Sequence, residues 1–182
     1  MLLRQPGAVL LVAVSITLGG CPPQDGLGLS RGALGPLVMT NIPAGIYVGE
    51  LSMATETAIT GQTPVESADN KSYQEVVNES GLPLFEPGSI VPRAGVVIPF
   101  DLGGAAGTYT VESVETSGNR LLISYTASMA LDGISFSGYG SWLYEFAPPS
   151  TLNFTEQFTL ASDVVNGSMM MYNSTATATL TK

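Results

Sequence analysis

The chain has 182 residues, 45% of them hydrophobic and 12% charged, with 21 Gly and 12 Pro; that is one domain with a buried core, not a disordered chain. Lys and Arg total 6 against 15 Asp and Glu, for a net charge of −9, and the cations are scattered, which argues against a nucleic-acid partner because phosphate binding needs clustered cations. There is no His and a single Cys; this excludes an intramolecular disulfide and any Ser-His-Asp or Cys-His set, and leaves zinc, haem and iron–sulfur sites without their usual ligands.

No cofactor, metal site or catalytic residue is therefore assigned, and the chain is not read as an enzyme. Two carboxylates hydrolysing a glycosidic bond would be the enzymatic alternative, but no pair stands out. The acidity is read as solubility. Abundant Thr, Ser, Val and Tyr favour β structure, where branched and aromatic side chains suit a pleated surface.

In chain order, residues 1–4 form a short segment with one positive charge at Arg4. Gly7 to Leu18 is an apolar run broken only by Ser15 and Thr17, the length of a signal-peptide core and short of the ~20 residues that span a bilayer. It ends on Leu18-Gly19-Gly20-Cys21, which resembles a bacterial lipobox. The resemblance implies cleavage between Gly20 and Cys21, a diacylglycerol on the Cys21 thiol and acylation of the new amino terminus. Two or three acyl chains hold a protein stably at a membrane. Pro22, rather than Asp, follows Cys21, and by the same resemblance this points to an outer-membrane anchor in the cell envelope. The alternative is a secreted protein with a coincidental cysteine, or a short N-terminal helix. Residues 1–20 are thus expected to be a signal peptide and 21–40, rich in Gly and Pro, a flexible tether.

Residues 41–182 are expected to form one all-β domain. Gly45 to Ser52 reads as a strand, with Ile59 as its alternative end, as do Ser72 to Val77 and Val96 to Asp101. Residues 81–88 carry too much Pro and Gly for a central strand, and no stretch shows an apolar period of helical length, at most a helical turn near 68–73. Thr108 to Glu115 is followed by the turn Ser117-Gly118-Asn119. Leu121, Ile123, Tyr125, Ala127, Met129 and Leu131 then alternate with smaller or polar residues, the period of a half-buried strand. Asp132-Gly133 is a two-residue hairpin signal. The next strand puts Ile134, Phe136, Gly138, Gly140, Trp142, Tyr144 and Phe146 on one face, and Pro148-Pro149 breaks it. Leu152, Phe154, Phe158 and Leu160 share the face of a further strand. Asn166-Gly167 then turns the chain into a Thr-rich last strand ending near Leu180. About eight strands in an antiparallel meander fit a small up-and-down barrel, with an open β-sandwich as the alternative. The opening Gly45-x-Tyr47-x-Gly49 and the closing Thr-rich strand resemble lipocalin or calycin-like barrels of bacterial envelope lipoproteins.

The candidate ligand pocket consists of Trp142, Tyr144 and Glu156. Glu156 holds an inward register among Leu152, Phe154, Phe158 and Leu160, and an inward carboxylate is costly unless it is paired or protonated. A bulge or a barrel mouth that lets it reach water is the alternative. Gly138 and Gly140 beside the aromatics would open a pocket or, alternatively, permit a bend. Met169-Met170-Met171 suggests copper(I) by chemistry, but adjacent strand residues point apart. The expected function is a membrane-tethered binding module for a small apolar ligand or an envelope partner, the alternative a structural lipoprotein with a filled barrel.

Overall fold

Residues 34–85, 90–102, 105–165 and 167–182 are described by a computed structural model. Gly20, Cys21 and the whole lipobox, with the signal peptide and most of the expected tether, lie outside them. Within them the chain forms eight strands and no helix. They are β1 (Gly45–Ile59), β2 (Val65–Val77), β3 (Val97–Leu102), β4 (Ala105–Ser117), β5 (Arg120–Leu131), β6 (Ile134–Ala147), β7 (Thr151–Ser162) and β8 (Met170–Thr181). Every pairing is antiparallel, and the strands make one sheet in the order β2-β1-β8-β7-β6-β5-β4-β3. The expected eight-stranded antiparallel meander is this sheet, curled into a half-barrel.

The curl is visible in contacts between strands that are not neighbours. Tyr144 on β6 donates to Glu75 on β2, four strands away, at 3.2 Å. Tyr73 on β2 stacks on Phe154 of β7 with ring centroids 5.5 Å apart. A flat sheet would hold these pairs well apart, since adjacent strands are spaced by about 4.8 Å.

The two ends of the sheet, β2 and β3, are consecutive in the chain, and the segment between them closes over the concave side. Leu82, Pro83 and Pro92 of that segment are fully buried, and Phe85 meets Trp142 at 4.6 Å between ring centroids. Leu84 donates its N–H to Val76 at 2.8 Å, and Val77 bridges Pro83. Residues 34–40, assigned above to the tether, run against the same segment: Gly35 donates to Ala94 at 2.9 Å and Thr40 to Ser80 at 3.0 Å.

Local sequence explains most strand ends. Asp132 and Gly133 both take positive φ, 52° and 79°, the conformation a two-residue hairpin needs. Pro99 lies in β3, at the sheet's edge, where a missing N–H costs no ladder bond. A register shift between Val111 and Ser113 opposite β5 leaves Glu112 exposed and turns both Val111 and Val114 to the core. Strand β2 begins earlier than its sequence suggests. Residues 65–70 are all exposed and, after Val65, polar or small, so they carry no apolar alternation; the pairing of Val65 with Thr57, Ser67 with Thr55 and Asp69 with Met53 is set by the ladder itself. The region 68–73 is therefore strand, not turn.

The outer face is a field of small hydroxyl and amide side chains. Thr175, Thr177, Thr179 and Thr181 are exposed on β8, and Thr179 donates to Asn153 of β7 at 3.2 Å. Among the described residues, the hollows on this face are shallow and open, one of them lined by Glu50, Ser52, Asn153, Thr155, Thr177 and Thr179.

Candidate functional site

The inner face carries a ladder of side chains that can be followed across the sheet row by row. At one end, Leu152 pairs Leu180, which pairs Gly49, which pairs Tyr73. Beside them stand Leu121, Tyr144, Phe154 and Leu51. Tyr47, Leu82, Leu121, Leu152 and Leu180 have no surface at all. This end is sealed. At the other end the row runs through Tyr109, Ala127, Gly138, Leu160 and Tyr172. Here Tyr109, Tyr172, Phe100 and Met129 are only partly buried against the core.

Two glutamates enter this interior. Glu75 sits at the sealed end, 5% exposed. Its Oε2 accepts from the Tyr73 hydroxyl at 2.7 Å and from Tyr144 at 3.2 Å, and the backbone of Val76 adds a further bond. Burial drives its carboxyl up to about 7, against the opposing pull of those three hydrogen bonds. The Tyr73 and Tyr144 hydroxyls are themselves pushed far above their ordinary range, by burial first and the Glu75 charge second, so both remain donors.

Glu156 lies in the row between the two ends, paired with Trp142 on one side and Ala176 on the other. The register of β7 is unbroken here, so no bulge turns it outward. Trp142 donates its indole N–H to Oε1 at 2.9 Å, and Tyr125 its hydroxyl to the same oxygen at 3.0 Å. Burial raises the carboxyl, while those two bonds and the charge of Lys71 lower it in part. Both donors converge on Oε1. Every buried side-chain oxygen among the described residues has a hydrogen-bond partner and neither donor reaches Oε2, so in this partly exposed residue Oε2 keeps some contact with solvent.

Tyr125 reaches Glu156 only because Gly140 stands between them. The Tyr125–Gly140 pair joins β5 to β6, and the Gly140–Phe158 pair joins β6 to β7. A Cβ at Gly140 would collide with the Tyr125 hydroxyl and with the Gln157 carbonyl. The space the glycine leaves is filled by the tyrosine and opens no pocket there. The rings around it are close, with Tyr125 and Trp142 centroids 4.0 Å apart and Tyr109 5.2 Å from Trp142, edge to face.

Of the three expected pocket residues, Trp142 and Glu156 are brought into direct contact. Tyr144, 1% exposed, belongs with Glu75 instead. Glu75 escaped sequence reasoning, although the strand expected over 72–77 already put it on one face with Tyr73 and Val77. The donor Tyr125 comes from β5, and its reach to Glu156 had no local signal. The methionine triplet is split, with Met171 opposite Ala161 and Met170 opposite Ile59. No group of three or more acids, Cys or His that could hold a metal occurs among the described residues. The chain matches no protein-family model, no curated protein and no solved structure.

Proposed function

We propose that this chain is a lipoprotein of the bacterial envelope, anchored at the outer membrane through Cys21, and that its half-barrel is a binding module for a small apolar molecule received at the open end. The observation that supports the binding reading is the contrast along the inner face. One end is closed by fully buried side chains, whereas the other leaves Tyr109, Tyr172, Phe100 and Met129 half-covered, with the Glu156 carboxylate two rows further in and its charge acting on Tyr109 and Tyr172. Apolar pockets with a few convergent polar groups are what small-molecule sites share. The test is to isolate the protein from its own membrane and compare its native mass with its mass after organic extraction. A discrete extractable species is expected. Its absence, together with no saturable binding of an apolar fluorescent dye, would overturn the reading.

A structural lipoprotein with a filled interior is the second reading, and the close contact of Tyr125 with Trp142 favours it. Cross-linking to an envelope protein without any bound small molecule is the result that would select it. The anchor has its own test. Cys21→Ser is expected to leave an unprocessed precursor that takes up no labelled fatty acid, and normal processing of that variant would overturn the anchor.

A further inference from the structure

Any molecule that covers the open end must deal with Glu156. Oε1 is satisfied by two neutral donors, whereas Oε2 accepts from neither. Covering that oxygen with a purely apolar group would strip its hydration and give nothing back, at a substantial cost. An occupant that fits therefore brings a donor or a positive charge. The walls favour the charge. Tyr109 and Tyr172 are partly exposed and lie close enough to Glu156 for its charge to act on both, and aromatic faces attract cations through their quadrupoles. An inorganic divalent ion would require several oxygen ligands, and the surroundings of Glu156 are rings.

We propose that the open end of the half-barrel binds an organic ammonium ion, its head against Oε2 of Glu156 and its apolar part along Tyr109, Tyr172 and Phe100. This rests on the binding-module reading and narrows it to one ligand class. Lys71, partly buried on β2, is the protein's own ammonium whose charge reaches Glu156. It competes with the ligand for the same field, so its removal strengthens binding.

Trp142 is the single tryptophan of the chain and donates to Glu156 directly, so intrinsic fluorescence reports on this site. The full-length protein is titrated with hexyltrimethylammonium and, separately, with 1-hexanol. A saturable fluorescence change is expected with both, at a concentration about tenfold lower for the ammonium, the size of a desolvated cation–π and charge contribution. Glu156→Gln is expected to abolish that preference and leave hexanol binding unchanged, and Lys71→Met to increase it. Equal binding of the two probes in the parent protein overturns the ammonium assignment while the apolar-ligand reading survives. No saturable response to either probe overturns both. Should Glu156→Gln fail to fold, Lys71→Met decides alone, and an unchanged ammonium preference in that variant also overturns the assignment.

Discussion

The two glutamates inside the half-barrel are the same residue in two physical situations. Glu75 is enclosed by Tyr73, Tyr144 and the backbone of Val76 at the sealed end. Glu156 takes two donors on one oxygen and leaves the other in contact with solvent. A buried polar group is tolerated when its bonding capacity is met inside, or when part of it still reaches water. Glu75 follows the first rule and belongs to the architecture; Glu156 follows the second and is available to a ligand. One sheet therefore builds a structural end and a receptive end from the same alphabet of Tyr, Phe and Glu.

Truncations probe this contrast most strongly. Leu152→Ala removes a fully buried side chain from the sealed end and is expected to cost about 2–5 kcal/mol in chemical denaturation. The same truncation at half-buried Met129, at the open end, should cost roughly half as much, because less surface returns to water. Equal losses would erase the distinction between the ends.

Titration comes next. The Glu75 carboxyl lies at about 7 in the folded chain against an ordinary 4.5, so between those values the folded state holds a proton that the unfolded state has released. The stability it contributes is fully present below about pH 4.5 and is lost as pH rises through about 7, a change of about 3 kcal/mol. Glu156 is shifted in the same direction. The Tm is thus expected to fall between about pH 5 and pH 8, with Glu75→Gln removing most of that slope. A Tm that stays level or rises over this range would contradict the burial of Glu75.

Removal of one hydroxyl sharpens the comparison further. Tyr144→Phe leaves Glu75 short of a donor in a sealed site and should cost about 1–3 kcal/mol. Tyr125→Phe does the same to Glu156, where water can compensate, and should cost about 0.5–1.5 kcal/mol by urea unfolding. The smallest effect is expected outside. Arg120 meets Glu145 at 2.8 Å, but both are well exposed, so Arg120→Ala should change stability by less than about 1 kcal/mol.

Much of this was legible in the chain. The alternations through Leu121–Leu131 and Leu152–Leu160 give strand, face and the inward register of Glu156, because a period of two is a local property. Asp132-Gly133 marks its turn for the same reason. What escaped depends on partners. The first half of β2 has no apolar alternation and is strand only through its ladder with β1. The pairing of β1 with β8 and the crossing of Tyr144 to Glu75 arise from the curl of the sheet. The role of Gly140 becomes visible only once Tyr125 is known to lie over it.

The ladder between β1 and β8 sets an order of events. Each strand from β4 to β8 can zip onto its predecessor through a short connection, whereas Gly49 must find Leu180 from the far end of the chain. Distant closures carry a larger entropy cost and form later. In a chain that emerges amino terminus first, the opening strand waits, with only its hairpin mate, for the last strand to arrive. Assembly of the half-barrel is therefore finished by β8, the last of its eight strands to be made.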